Sequence, residues 1–277
     1  MKKVYLIPNA ITAFGLTCGI FVIFKISIAD PSRDLFSLLQ ASAILLVVAA
    51  VADLADGAVA RLIKAQSEFG GLFDCLADSV TFGVAPPLLV LKSLTWGGEV
   101  PTRLATFFMI LASIIYTLCG VLRLVRFRLH DSETKEGDKK NEKKHFTGLP
   151  IPAAASAVVS AALMLVSPLA TEYLPIHTNG RAVIMTLVLM VIGYFMISRW
   201  KFPSVKALHF RVPSFSLAFA TGIFAVMMLY GILDYFAEAF FAVSWLYLFI
   251  AWTLSLIRVI AGKRSQTLVD FEPEQED

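Results

Sequence analysis

Eight stretches of this chain run for about twenty residues each with almost no charge, and that pattern limits the folds open to it. They cover residues 8–29, 36–60, 72–95, 103–127, 149–168, 181–199, 213–235 and 239–261. A helix of that length crosses the hydrocarbon core of a bilayer, about 30 Å thick. Lipid offers nothing for backbone amides to bond with, so each stretch is expected to be helical. Composition agrees, since 57% of the 277 residues are hydrophobic and 16% charged, where soluble domains carry about 25% charge. The expected fold is an all-α integral membrane protein of about eight transmembrane helices. Residues 1–210 would form a six-helix membrane domain and 211–264 two additional helices, with 265–277 a disordered acidic tail.

The first apolar run follows Lys2 and Lys3, as a signal peptide would, but it is too long and lacks a small-x-small cleavage site. It is therefore read as a retained helix. Cys18, Cys75 and Cys119 are far apart with no metal-type spacing and read as small buried hydrophobes. If the N-terminus is cytoplasmic, 19 of the 24 Lys and Arg residues fall on the inner side. Such a bias places both termini in the cytoplasm, and a bacterial inner membrane is the expected home. The net charge of +3 then reflects topology, with no nucleic-acid surface implied. The stretch "HDSETKEGDKKNEKKH", 130–145, mixes both signs and is expected to be a solvated cytoplasmic loop.

One region breaks the apolar pattern. In "DLADGAVARLIKAQSEFGGLFDCLADSV", 53–80, four aspartates and one arginine recur at fixed intervals between two apolar runs. At 100° per residue, Asp53, Asp56, Gly57, Ala60 and Arg61 fall within an arc of about 140° on one helix face. Asp74 and Asp78, four apart, share a face of the next helix. The short connection between them makes the helices antiparallel neighbours, so both pairs can converge near the cytoplasmic surface. Gly57 and Ala60 leave the first helix bare beside the acids, with room for a bulky group. Four unbalanced carboxylates repel one another in a low dielectric. Either some are protonated, as in proton relays, or hard cations such as Mg2+ or Mn2+ hold them together. Arg61 among the acids suits a phosphate oxygen that two such metals bridge.

The pattern Asp53-x2-Asp56-Gly57-x2-Ala60-Arg61-x8-Gly70-x3-Asp74-x3-Asp78 resembles the signature of the CDP-alcohol phosphatidyltransferase family. Its members are membrane enzymes that move a phosphatidyl or related group from a CDP-linked donor to an alcohol, releasing CMP. "LIPNAITAFGLTCG" at the start, "LADSVTFGVAPP" after the last aspartate, "FTGLPIPAAA" at 146–155, "LRLVRF" at 122–127 and "FPSVK" at 202–206 are similar to the serine-accepting branch, the phosphatidylserine synthases. The resemblance spans about residues 7–206 and is weaker in the last two helices.

The resemblance implies two divalent metal ions, Mg2+ or Mn2+. Asp53, Asp56 and Asp74 would hold one, and Asp53, Asp74 and Asp78 the other. It implies that Gly57, Ala60, Arg61 and the Ser67 hydroxyl contact CDP-diacylglycerol, with Asn9 and Thr12 approaching the nucleotide from the first helix. Asp78 would be the general base, although a metal-bound carboxylate holds a proton weakly. The chain would work as a homodimer in the bilayer, with CDP-diacylglycerol and L-serine as partners. The zwitterionic acceptor wants a fixed cation for its carboxylate, and Arg123 and Arg126, three apart on one face, are the candidates. Arginines at the inner end of a span are equally topology anchors. Other acceptors in the same family (glycerol phosphate, inositol phosphate or choline) compete with serine. A cation-coupled transporter is the reading from another class. Transporters place ionisable groups near the midplane, often within internal repeats, whereas here the acids lie near one surface and no repeat appears.

Overall fold

The computed structural model describes residues 6–30, 34–63, 67–96, 100–136, 148–173, 176–198 and 235–261. The elements are α1 (Leu6–Ile28), α2 (Leu35–Leu62), α3 (Glu68–Asp78), a π-helical turn (Ser79–Val84) and α4 (Ala85–Leu94). Then follow α5 (Arg103–Glu136), α6 (Ile151–Val166), α7 (Pro168–Tyr173), α8 (Thr178–Ile197) and α9 (Phe236–Ala261). The described residues contain no strand. Among them, six helices are long and apolar enough to cross a membrane, the third being the continuous run from α3 to α4. The expected helix 213–235, the stretch "FPSVK" and the acidic tail lie outside the described residues.

Local sequence accounts for the boundaries. The Asp34 carboxylate caps α2 by accepting from the Phe36 and Ser37 amides at 3.3 and 3.0 Å. The Ser67 hydroxyl does the same for α3, accepting from Gly70 N at 2.9 Å, so this span starts four residues before the apolar run does. Helix α5 continues to Glu136, past the expected boundary at 127 and into the charged stretch. Between residue 127 and Gly137 the sequence has no Gly or Pro, so nothing stops the helix there. Residues 130–136 are thus helix, which corrects their expected reading as loop.

Helix α6 is only 16 residues long, about 24 Å by helix rise and short of a full crossing. It can be short because protein surrounds it. Its side chains belong to both buried clusters, one shared with α5, α8 and α9, the other with α1, α2, α4 and α9. Small residues let the helices close up, as expected where lipid gives no hydrophobic drive between them. A β-carbon at Gly15 would lie 3.6 Å from the Ala49 carbonyl oxygen, and one at Gly193 would lie 3.5 Å from the Tyr116 Cα.

The π turn has a visible cause. In an α-helix the Phe82 and Gly83 carbonyls would accept from residues 86 and 87, but both are proline and have no N–H. The Ala85 amide reaches back five residues to Val80 O instead. Helix α5 supplies the missing donors. The Tyr116 hydroxyl donates to Phe82 O at 3.1 Å, and Thr117 Oγ1 lies 2.9 Å from Gly83 O.

Candidate metal and substrate site

The four aspartates meet in one cavity. Asp53 and Asp56 reach it from the last turns of α2, and Asp74 and Asp78 from α3. Helix α1 packs on both and closes the back with Thr12. Carboxylate oxygens of Asp53, Asp56 and Asp74 lie within 4.8 Å of one another. Asp78 lines the same cavity one turn further into the span. Among the described residues, no Lys or Arg lines the cavity. An all-oxygen, anionic donor set of this size fits a hard divalent cation and is poorly suited to zinc or copper.

Asp56 is 5% exposed, and its position is held by a bond that the sequence did not reveal. Thr12 Oγ1 lies 2.5 Å from Asp56 Oδ2 and 3.1 Å from Pro8 O, so its single proton is already engaged. Thr12 therefore orients the Asp56 carboxylate in the cavity. The signal was present but ambiguous, since a threonine in the first helix reads equally well as a packing residue.

Of the residues expected on the donor substrate, Asn9 and Ser67 come together. A β-carbon on Gly70 would lie 2.9 Å from both Asn9 Oδ1 and Ser67 Oγ. Gly57 faces open space, with no heavy atom within 4 Å of where its β-carbon would be. Ala60 is half-buried on the same helix and Arg61 is exposed on its last turn.

The two candidate serine arginines are separated. Arg123 is half-buried, close enough to Asp78 to feel its charge, and its Nε has no hydrogen-bond partner among the described residues. Arg126 is exposed. A third arginine, treated in sequence only as a topology charge, takes part in holding the site. The Arg128 guanidinium rests on Gly71, donates to Glu68 O at 3.2 Å and lies in the field of Asp74. No sequence signal pointed to it, because its partner is a carbonyl 60 residues away. The three cysteines are free, with Cys18 and Cys119 buried and Cys75 half-buried.

Comparison with known proteins adds independent information. Residues 5–200 match the family described as CDP-alcohol phosphatidyltransferase. A CDP-diacylglycerol–serine O-phosphatidyltransferase of Helicobacter pylori is 29% identical over 265 residues, 95% of this chain and 98% of that protein. One of Methanocaldococcus jannaschii is 31% identical over 244 residues, covering 85% of this chain and 96% of the relative. One of Bacillus subtilis is 29% identical over 200 residues, or 72% and 91%. An alignment over 95% of the chain has to include the region of the last two helices, so the similarity reaches further than the motifs suggested.

Proposed function

Because the chain belongs to the CDP-alcohol phosphatidyltransferase family, we propose that it transfers the phosphatidyl group of CDP-diacylglycerol to the hydroxyl of L-serine, giving phosphatidylserine and CMP. The observation that carries the chemistry is the meeting of Asp53, Asp56 and Asp74 within 4.8 Å beside the open face at Gly57. The acceptor is supported by the activity for which the relatives are named.

Asp53, Asp56 and Asp74 would hold one divalent ion, and Asp53, Asp74 and Asp78 a second, Mg2+ or Mn2+ in each case. Bound there, such ions would supply Lewis-acid charge that stabilises a pyrophosphate as its anhydride bond breaks. Thr12 fixes the Asp56 carboxylate. Gly57 and Ala60 leave room for the nucleotide, while Asn9, Arg61 and Ser67 contact the donor headgroup. Asp78 accepts the proton of the serine hydroxyl. The serine oxygen then forms its bond to the phosphorus that bears diacylglycerol, and the bond from that phosphorus to CMP breaks. Arg123, half-buried near Asp78, takes the serine carboxylate, and exposed Arg126 anchors the helix end. The Lys and Arg bias puts this site on the cytoplasmic side, where serine enters while the acyl chains of the donor stay in the bilayer. The working unit is a homodimer.

The test is CMP release from CDP-diacylglycerol by the purified protein in lipid vesicles, with and without Mg2+ or Mn2+. Serine, glycerol phosphate, inositol phosphate and choline are added separately. Metal-dependent release driven by serine supports the proposal, and release driven by another alcohol reassigns the acceptor. Absence of metal-dependent release with every alcohol rejects the chemistry.

A further inference from the structure

Thr81 is 2% exposed. Its hydroxyl is buried without a hydrogen-bond partner among the described residues, and its side chain lines the aspartate cavity. An unpaired buried hydroxyl is costly, so it calls for a partner that the described residues do not supply. The position is also unusual. Thr81 sits inside the π turn that the Pro86–Pro87 pair creates, and such turns occur often at functional sites. Helix α1 is bare opposite it: a β-carbon on Gly19 would meet the Thr81 hydroxyl first and would lie 2.8 Å from the Thr81 Cβ. The turn thus presses Thr81, a residue of the cavity wall, close to α1, with its hydroxyl turned toward the bare Gly19.

Resting on the function proposed above, we infer that the Thr81 hydroxyl binds the acceptor alcohol and so helps to set acceptor affinity. The other polar groups lining the cavity are carboxylates, which accept, and Thr12, whose proton is engaged. Thr81 alone among them can both donate and accept freely. A hydroxylated, zwitterionic acceptor presents donors and acceptors together. Depth points the same way. The cavity continues one helical turn beyond the carboxylates on each wall, to Gly15 past Thr12, Ala49 past Asp53 and Thr81 past Asp78. The open face at Gly57 and the Asn9–Ser67 pair lie at the opposite end. In-line displacement at phosphorus puts the attacking and leaving oxygens on opposite sides. With CMP leaving toward Gly57, the attacking oxygen comes from the deep side.

Thr81→Val keeps the shape and removes only the hydroxyl, whereas Thr81→Ser keeps the hydroxyl and removes only the methyl. The expected result for Thr81→Val is a KM for serine raised about tenfold, the loss of roughly one hydrogen bond, with the KM for CDP-diacylglycerol unchanged. Thr81→Ser should stay within about twofold of wild type for both substrates, which also answers the case in which the valine variant fails to fold. Wild-type constants for Thr81→Val overturn the inference, and so does a serine defect in Thr81→Ser, which would make the role one of packing. Equal weakening of both substrates overturns it too, placing the hydroxyl on the phosphates. If the wild-type enzyme itself responds to a different alcohol, it is the acceptor assignment that fails. The same split is then measured with that alcohol, so the two failures are separable.

Discussion

Asp53, Asp56 and Asp74 are held by the fold at a spacing that their charges oppose, so the protein without cations carries repulsion that a bound cation relieves. Changing any one of Asp53, Asp56, Asp74 or Asp78 to Asn should abolish turnover while leaving the cation-free protein at least as heat-stable as wild type, because one repulsive charge is gone. Mg2+ or Mn2+ should raise the Tm of wild type through linkage and do so much less in the variants. Melting curves with and without metal, next to CMP release, check both halves, and near wild-type activity at saturating metal in any variant contradicts the two-metal assignment. Gly57 tests the neighbouring space. None of the described residues occupies the position of its β-carbon, so Gly57→Leu should fold normally yet weaken CDP-diacylglycerol binding at least tenfold if the nucleotide uses that space. Unchanged donor affinity in a binding assay removes Gly57 from the site.

Helix α5 is tied to the π turn through the Tyr116 and Thr117 hydroxyls. Removing the Tyr116 hydroxyl leaves the buried Phe82 carbonyl without that donor, so Tyr116→Phe should cost about 1–3 kcal/mol of stability, read as a lower Tm in detergent; Thr117→Val should cost less, because the Thr117 proton is shared with Ser113 O. Unchanged melting would show that the carbonyls find other partners. This link also marks where sequence reading stopped. The apolar runs gave the helices, and the Asp53–Asp56 and Asp74–Asp78 intervals gave two acidic faces, because both follow from helical periodicity alone. The Pro86–Pro87 pair was visible, but its effect on Thr81 depends on donors that arrive from α5, more than 30 residues later. Arg123 and Arg126 look equivalent by period. The structure buries one and exposes the other because α5 packs against the protein on one side only. Arg128 was undetectable for a similar reason, its partner being a backbone carbonyl on α3.

Across the whole molecule, α9 is part of the packed interior. Phe236, Ala237, Leu248 and Ala251 are buried, and the helix lies against α6. A chain ending before Phe236 should uncover α6, accumulate poorly in membranes and melt at a lower temperature than the full chain. Equal yield and equal Tm would show that the interior closes without α9. The run from Glu68 to Leu94 has a different consequence. It is the least apolar of the six candidate spans and the most enclosed, with half of its most apolar stretch buried inside the protein. It carries two of the aspartates, the proline pair and the hydroxyl of Thr81. Leaving the ribosome, such a segment gains little by partitioning into lipid on its own; it packs against α1, which precedes it, and its Phe82 carbonyl finds a donor on α5, which follows. Biogenesis therefore has an order built into it: the first two helices have to wait in the membrane as a receiving surface, and the segment that carries half of the chemistry settles only as the fourth span arrives.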